Sequence, residues 1–280
     1  MRGTGMRGAM SRIDRGSLSA AEIGALEGVA HALADLARPL TLAQFRKPAL
    51  RVESKSAAGF DPVTDADRAT ERAIRDHLAR HRPGDGIVGE EFGTEPGTTG
   101  LSWIIDPIDG TRAYLSGTPC WGVLIALADA AGPFLGIIDQ PHTQERFSGG
   151  PGGAVLQDRN GRAALRTSPR ATLADAILFS TFPEIGSEAE RAAFARVAAQ
   201  VRLTRYGLDC YAYALVAAGH VDLVIEAGLN AYDIAAPQAV IEAAGGIVTD
   251  WTGAPPGASG QVIAAANAAL HAQALALLCG

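Results

Sequence analysis

Two aspartates, Asp106 and Asp109, close an apolar run in the stretch Trp-Ile-Ile-Asp-Pro-Ile-Asp-Gly-Thr from Trp103 to Thr111. A run of this kind reads as a buried strand, and Pro107 and Gly110 read as its end and a turn. Pro107 has a fixed φ and no N–H for a neighbouring strand, so the chain is expected to leave the sheet just after Asp106. The resulting corner lies at the carboxyl end of a strand, where α/β sheets bind ligands. Two anions held there repel each other unless a cation neutralises them. The pair points to a metal site. The bland alternative is a solvated Asp-Pro/Asp-Gly turn.

Three more acids stand at similar junctions. Asp67 follows Asp61-Pro-Val-Thr-Asp-Ala and opens a helical pattern through Ile74 and Leu78. A first-turn acid is favoured there for capping alone. Glu90 and Glu91 follow the short apolar segment Ile87-Val-Gly. Adjacent side chains on an extended chain point to opposite faces, so at most one of them is expected to face a given site. Asp233 ends a loop from Asn230 that feeds a helix over 234–244. Carboxylates at such places suit a hard cation such as Mg²⁺, which bridges to substrate phosphate. Two or more such ions activate water and neutralise a phosphoryl group and its leaving alkoxide. No GxGxxG follows a strand, and neither GxxxxGK[ST] nor GxSxG occurs. Dinucleotide, P-loop and nucleophilic-elbow chemistries therefore lack a motif. His31, His77, His81, His142, His220 and His271 are read singly, as surface or satisfied core positions rather than zinc ligands.

The elements that would position these acids are legible from periodicity. Ser19 and Glu22 form a capping box before a helix with apolar positions Ile23, Leu26, Ala30, Leu33, Ala37 and Leu40. Pro39 is expected to end or kink it. Residues 42–56 look extended and carry Lys55; Pro83 to Gly86 is a turn. Val123 to Leu127 and Phe134 to Ile138 read as a hairpin, with a further strand within 140–147. A glycine-dense stretch, 149–153, suggests a soft boundary near residue 155. Beyond it the chain is more regularly α/β, with strands over 176–180, 201–206 (an edge), 221–226, 247–250 and 261–265. Helices are expected over 188–200, 209–218, 234–244 and from Asn267 to about Leu278. This divides the chain into a flexible tail (1–18), an α+β subdomain carrying most of the acids (19–155) and an α/β subdomain (156–280).

Composition agrees with a folded protein: 280 residues, 48% hydrophobic, mean hydropathy +0.11. The net charge of −6, without a basic stripe interleaved with aromatics, argues against nucleic acid. Cys120, Cys210 and Cys279 match no zinc knuckle or disulfide framework, which favours a reducing, cytoplasmic setting. No apolar stretch follows Arg2, Arg7, Arg12 and Arg15, so no signal peptide is expected, and no run is long enough to span a membrane.

Three stretches resemble the signatures of the inositol monophosphatase family: Gly-Glu-Glu at 89–91, Trp103 to Thr111, and Glu-Ala-Gly-Leu-Asn-Ala-Tyr-Asp-Ile-Ala-Ala from Glu226 to Ala236. The resemblance spans nearly the whole chain from about residue 20. It implies a layered αβαβα sugar-phosphatase fold and a Mg²⁺-dependent phosphomonoesterase, with two or three ions per site and a homodimeric assembly. Carried over by position, Glu90, Asp106, Asp109, Asp233 and the Ile108 carbonyl are metal ligands, and Asp67 helps place a weakly bound ion. Thr111 orients the attacking water with an acidic partner, and the Gly110 and Thr111 amides cradle the phosphate. Lys55 corresponds loosely to a basic residue near the metals. Pro237 departs from the family's small residue four positions after the last aspartate. Its missing N–H would disturb the first helical turn if Asp233 were the N-cap.

For the substrate, Glu226 corresponds to an acid facing the non-phosphate end of the ester. Asp209 stands where inositol phosphatases carry small uncharged residues, and a second acid there favours a cationic leaving group; the competing reading is a helix N-cap. The stretches Asp106 to Tyr114, Gly136 to Pro141 and Tyr206 to Tyr213 resemble the histidinol-phosphate phosphatase branch. Histidinol phosphate is the leading expectation and inositol 1-phosphate the next. A nucleotide-type 3′-phosphatase or an inactive metal-binding scaffold is less favoured.

Overall fold

Ser19 caps the first helix as its sequence demands. Its hydroxyl accepts the Glu22 amide at 3.3 Å, and the Glu22 carboxylate accepts the Ser19 amide at 2.8 Å. The computed structural model describes residues 13–47, 52–54 and 62–280, and in it this helix, α1, spans Ala20–Gln44. Pro39 does not end it, so the extended segment expected from residue 42 starts later. The proline removes a backbone bond to the Asp35 carbonyl, but Leu26, Ala30, Leu33, Ala34 and Ala37 are buried against the sheet, and that packing outweighs one bond. Ahead of α1, part of the expected tail is docked: Arg15 Nη2 lies 2.6 Å from Asp129 Oδ1, and the Ile13 amide donates to the Thr99 carbonyl at 2.7 Å. Lys55 and Asp61 fall outside the described residues.

Two short antiparallel strands, β1 (Val52–Ser54) and β2 (Pro62–Thr64), lead into α2 (Asp65–His81). His77 and His81, read singly from sequence, stack one turn apart on this helix with centroids 4.1 Å apart. There follow β3 (Gly86–Gly89), β4 (Gly93–Glu95), β5 (Ser102–Asp109), the short helix α3 (Thr111–Ser116), β6 (Gly122–Asp129), β7 (Gly132–Gln140), β8 (Glu145–Gly150), β9 (Gly153–Asp158) and β10 (Gly161–Ala164). These make one sheet in the order β10-β9-β8-β7-β6-β5-β3-β4, antiparallel except where β3 and β5 run parallel. The sheet continues past residue 155 to Ala164, so the change of sheet lies further along.

The second sheet uses β11 (Ile177–Ser180), β12 (Leu203–Tyr206), β13 (Leu223–Glu226), β14 (Ile247–Thr249) and β15 (Val262–Ala265), in the order β12-β11-β13-β15-β14. Its helices are α4 (Glu188–Ala198), α5 (Cys210–Ala217), α6 (Ala231–Ala243) and α7 (Ala268–Cys279). Every residue of β6 is buried, as in a strand covered on both faces. Val123, Ile125 and Leu127 pack toward Leu33 and Ile74 of α1 and α2. Leu124 and Ala126 pack toward α5 and α6, whose far side meets Val224 and Ala264 of the second sheet. Phe194 of α4 and Leu270 of α7 cover the other face of that sheet. The layers are therefore α, β, α, β, α, as the resemblance implies. Close packing sets the position of α6. A Cβ on Gly136 would lie 2.4 Å from the Ala236 carbonyl oxygen, and one on Gly149 2.5 Å from Val240 Cα. Only glycine lets the helix lie this near β7 and β8.

Candidate metal centre

Asp106 and Asp109 are an odd number apart, so a regular strand would send them to opposite faces. The pairing shows why they meet. Asp106 opposes Leu124 and Asp109 opposes Gly122, which leaves one extra residue on β5 between them. This is a β-bulge, and it resets the alternation. Pro107 sits inside the bulge, where its missing N–H interrupts no ladder bond, so β5 bends and resumes instead of ending after Asp106. The Ile108 amide donates to Asp106 Oδ1 at 3.0 Å, which fixes that carboxylate. Gly110 then takes the left-handed conformation, φ 81° and ψ 43°, and turns the chain into α3. The Thr111 hydroxyl donates back to the Ile108 carbonyl at 3.2 Å.

The other half of the molecule reaches in through two helix starts. The Cys210 amide, at the head of α5, donates to Asp109 Oδ2 at 2.7 Å. Asp209 occupies the N-cap position with φ 47° but makes no side-chain capping bond, so its carboxylate is not used as a cap. In α6 the N-cap is Asn230, and Asp233 is the third residue in, accepting the Asn230 amide at 2.6 Å. The disturbance foreseen for Asp233 as N-cap does not arise. Pro237 lies inside α6, which continues to Ala243.

Two groups of acids result. Asp106, Asp109 and Asp233 place one oxygen each within 4.8 Å of one another, and Asp67, Glu90 and Glu91 do the same. Glu90 hydrogen-bonds to Asp106, so the groups adjoin. Glu91 corrects the alternation argument. The strand stops at Gly89 and both glutamates lie in a turn, which the buried Glu71 carboxylate holds by accepting the Glu91 and Phe92 amides at 2.7 and 3.2 Å. Asp67 has two roles at once. Its Oδ2 accepts the Thr64 amide at 2.9 Å as part of a capping box, while its Oδ1 is buried with no partner among the described residues.

Burial, and then the nearby Glu90, Asp109 and Asp233 carboxylates, push Asp106 well above the usual range. Burial, then Asp209 and Asp233, do the same to Asp109. Burial carries Asp67 up to about 7. Buried acids in this arrangement ionise together only with a cation among them, and the unpartnered Asp67 oxygen is chemically suited to bind one. The donor set is all oxygen, which fits a hard divalent ion.

A cleft of about 250 Å³ is lined by Glu90, Asp106, Ile108, Asp109, Gly110, Thr111, Asp209 and Asp233, together with Arg112, Phe182, Asn230 and Tyr232. Of the residues singled out from sequence, Asp67 and Glu226 do not line it. Glu226 is buried at the end of β13, where it accepts the Thr181 amide and hydroxyl at 2.7 and 2.8 Å; burial raises it to about 7. Asp209 is half-buried, and burial raises it to about 6. Arg112, Phe182 and Asp209 also border a second, largely apolar groove of about 530 Å³ with Pro119, Tyr206, Leu208 and Tyr211 on its walls. The Arg112 guanidinium lies over the Phe182 ring at 5.0 Å. Sequence carried no signal for this stack, because its partners lie far apart in the chain, on α3 and in the loop after β11.

The molecule has close relatives. The inositol monophosphatase family model matches residues 25–279. The chloroplastic bifunctional phosphatase IMPL2 of Arabidopsis thaliana is 39% identical over 270 residues, which cover 92% of this chain and 76% of that protein. The histidinol-phosphatase of Mycobacterium tuberculosis is 39% identical over 254 residues, covering 89% and 96% respectively. The structure of an inositol monophosphatase from Zymomonas mobilis superposes with a TM-score of 0.80 at 37% identity, covering 94% of this chain and 100% of that one. The two carboxylate groups supply what a metal-dependent phosphomonoesterase acting on a small phosphorylated substrate requires. No helix among the described residues is long and apolar enough to cross a membrane. The chain belongs to the inositol monophosphatase family.

Proposed function

We propose that the cation is Mg²⁺, two or three per site, and that the substrate is a phosphomonoester whose leaving group carries positive charge, with histidinol phosphate as the example and histidine biosynthesis as the setting. The observation that carries this reading is the position of Asp209. Its carboxylate stands at the neck shared by the metal cleft and the apolar groove. A leaving group extending from a phosphate in the cleft would pass it, with Phe182 and Tyr206 alongside. An ammonium and a planar imidazole suit an acid beside aromatic walls, whereas a polyol needs several hydrogen-bonding partners.

Bound divalent ions would neutralise the phosphoryl oxygens and the leaving alkoxide and make water nucleophilic near neutral pH. In this reading Asp106, Asp109 and Asp233 would hold one ion, Glu90 with the Ile108 carbonyl would hold another, and Asp67 with Glu91 would assist at the weakest position. Thr111 turns its hydroxyl from the Ile108 carbonyl to orient the attacking water, with Glu90 and Asp67 as acidic partners. The Gly110 and Thr111 amides receive the phosphate at the turn. Attack is in line on phosphorus, with no phosphoenzyme. A homodimer is proposed on family resemblance.

The second reading is an inositol-type or broad-specificity monophosphatase. Two observations favour it: Glu226 is engaged by Thr181, so only Asp209 of the acid pair opens to the cleft, and relatives named for both substrates match the chain, a histidinol-phosphatase at 39% identity and an inositol monophosphatase at 37%. Phosphate release with Mg²⁺ from histidinol phosphate, inositol 1-phosphate and adenosine 3′,5′-bisphosphate, compared as kcat/KM, separates the two. A preference of about 100-fold for histidinol phosphate, or roughly 2.7 kcal/mol of transition-state discrimination, is expected. A flat profile gives the chain to the second reading.

A further inference from the structure

Glu71 is a wholly buried acid to which no ligand role falls. It lies inside α2, four residues after Asp67, so both carboxylates project from the same buried face of that helix. Its Oε2 accepts the Glu91 amide at 2.7 Å, and its Oε1 accepts the Phe92 amide at 3.2 Å and Arg75 Nε at 2.8 Å. The two amides belong to a turn that lies between Gly89 and Gly93, the last paired residues of β3 and β4. The preceding amide, that of Glu90, donates to the Ile105 carbonyl of β5 at 3.2 Å. The turn carrying Glu90 and Glu91 is therefore slung between β5, which bears Asp106, and α2, which bears Asp67. Arg75 secures its far end as well, donating to the Gly93 carbonyl. The approach is close enough that a Cβ on Gly89 would collide with Glu71 Oε1. A neutral acceptor could serve one of these amides; a carboxylate backed by an arginine serves both, with charge-assisted bonds.

We propose that Glu71 is a positioning residue for the metal centre: by fixing the Glu91 and Phe92 amides it sets where the Glu90 and Glu91 carboxylates stand relative to Asp67 and Asp106, and so sets the affinity of the ion that Glu90 would hold. The inference rests on the ligand reading above, in which Glu90 and Glu91 face bound cations. The oxygens of Glu71 are taken by the two amides and Arg75, so it acts through the turn and is no ligand itself. With the turn loosened, its carboxylates must be ordered when the ion binds, and that ordering costs affinity. Once the ion is bound, the geometry is restored. The loss therefore falls on Mg²⁺ binding and on turnover at low Mg²⁺, and it fades at saturation.

The test is Glu71→Gln, which keeps the shape but leaves one oxygen for two amides and turns an NH₂ toward the other. Mg²⁺ is titrated calorimetrically, without substrate, into metal-free wild type, this variant, Glu90→Gln, and Ile74→Val, which trims the buried face of the same helix away from the turn. Phosphate release from histidinol phosphate and inositol 1-phosphate is measured across Mg²⁺ concentrations alongside. Glu71→Gln should raise the Kd of the ion that Glu90→Gln loses by about tenfold or more, and leave the remaining sites within about twofold. The Mg²⁺ midpoint of activity should move by the same factor, with kcat at saturating Mg²⁺ within about threefold of wild type. Ile74→Val should melt lower with an unchanged isotherm. A Glu71→Gln protein that melts lower yet binds Mg²⁺ as wild type does, or that weakens at every site alike, makes Glu71 a structural residue and overturns the inference. If that variant does not fold, Arg75→Gln takes its place: it removes the cation behind the carboxylate and should weaken the same ion, and an unchanged isotherm again overturns the inference. Mg²⁺ binding unaltered in Glu90→Gln would sink the ligand reading and this inference with it, whereas a loss there with none in Glu71→Gln sinks this inference alone.

Discussion

Replacing Asp109 by Asn should make the metal-free protein more stable and the metal-loaded protein inert. Asp106, Asp109 and Asp233 each place an oxygen within 4.8 Å of the others. At that separation, with an effective dielectric constant of about 20, two full charges repel by at least about 3.5 kcal/mol. Burial and the Asp209 and Asp233 carboxylates already push Asp109 well up, so protonation relieves part of the repulsion. The gain from Asn is correspondingly smaller, about 1–2 kcal/mol. Asn keeps an oxygen for the Cys210 amide, which Asp109 receives at 2.7 Å, so the head of α5 does not lose its partner. A divalent ion at a hundredfold excess over its Kd stabilises the protein that binds it by about 2.7 kcal/mol, which reverses the order of stability when Mg²⁺ is added. The assay is thermal unfolding of both proteins at mildly alkaline pH, in EDTA and in saturating Mg²⁺, alongside phosphate release. The variant should melt a few degrees higher in EDTA, at about 2–4 °C per kcal/mol, gain little from Mg²⁺ and show no turnover. A variant that melts lower in EDTA, gains from Mg²⁺ as wild type does, or retains Mg²⁺-dependent activity would refute the electrostatic account of the site.

Gly110→Ala adds a Cβ 2.9 Å from Asp209 Cγ on backbone at φ +81°; left-handed strain alone costs about 1–2 kcal/mol, and displacement of Thr111 should lower kcat/KM by about 10²-fold. Unchanged melting and kinetics would show that this turn tolerates a side chain. Without metal, stability should fall as pH rises, because Asp67 and Glu226 are raised to about 7 and Asp209 to about 6. The folded protein keeps protons that the unfolded chain releases, so this stability is full below the unfolded values near 4 and is lost as pH passes through 6–7. Asp129, held well down by the Arg15 hydrogen bonds, acts in the opposite sense but below that window. Urea midpoints measured in EDTA across the window check the sign, and a midpoint that climbs with pH contradicts it.

What could be read from sequence was local, and what could not was set by partners far along the chain. The succession of helices and strands followed from alternation and helical spacing, since those patterns record which faces are buried; the αβαβα layering was implied by the family resemblance. The run from Trp103 to Thr111 announced its carboxylates because an apolar strand rarely gives way to two acids around a proline. The bulge that turns Asp106 and Asp109 to the same side was invisible, as it exists only in the register against β6. Pro39 misled because local propensity favours a break and tertiary burial of α1 overrides it. Glu91 was set aside by an alternation rule that lapses where β3 ends. The acid pair chosen for substrate recognition shows the same division. Thr181, 45 residues from Glu226, takes up that carboxylate, and Asp109, 101 residues from Cys210, does the capping expected of Asp209. The first gives Glu226 a structural task, and the second releases Asp209 from one. Residue type located the acids; long-range hydrogen bonds decided that Asp209 is the carboxylate left facing the cleft.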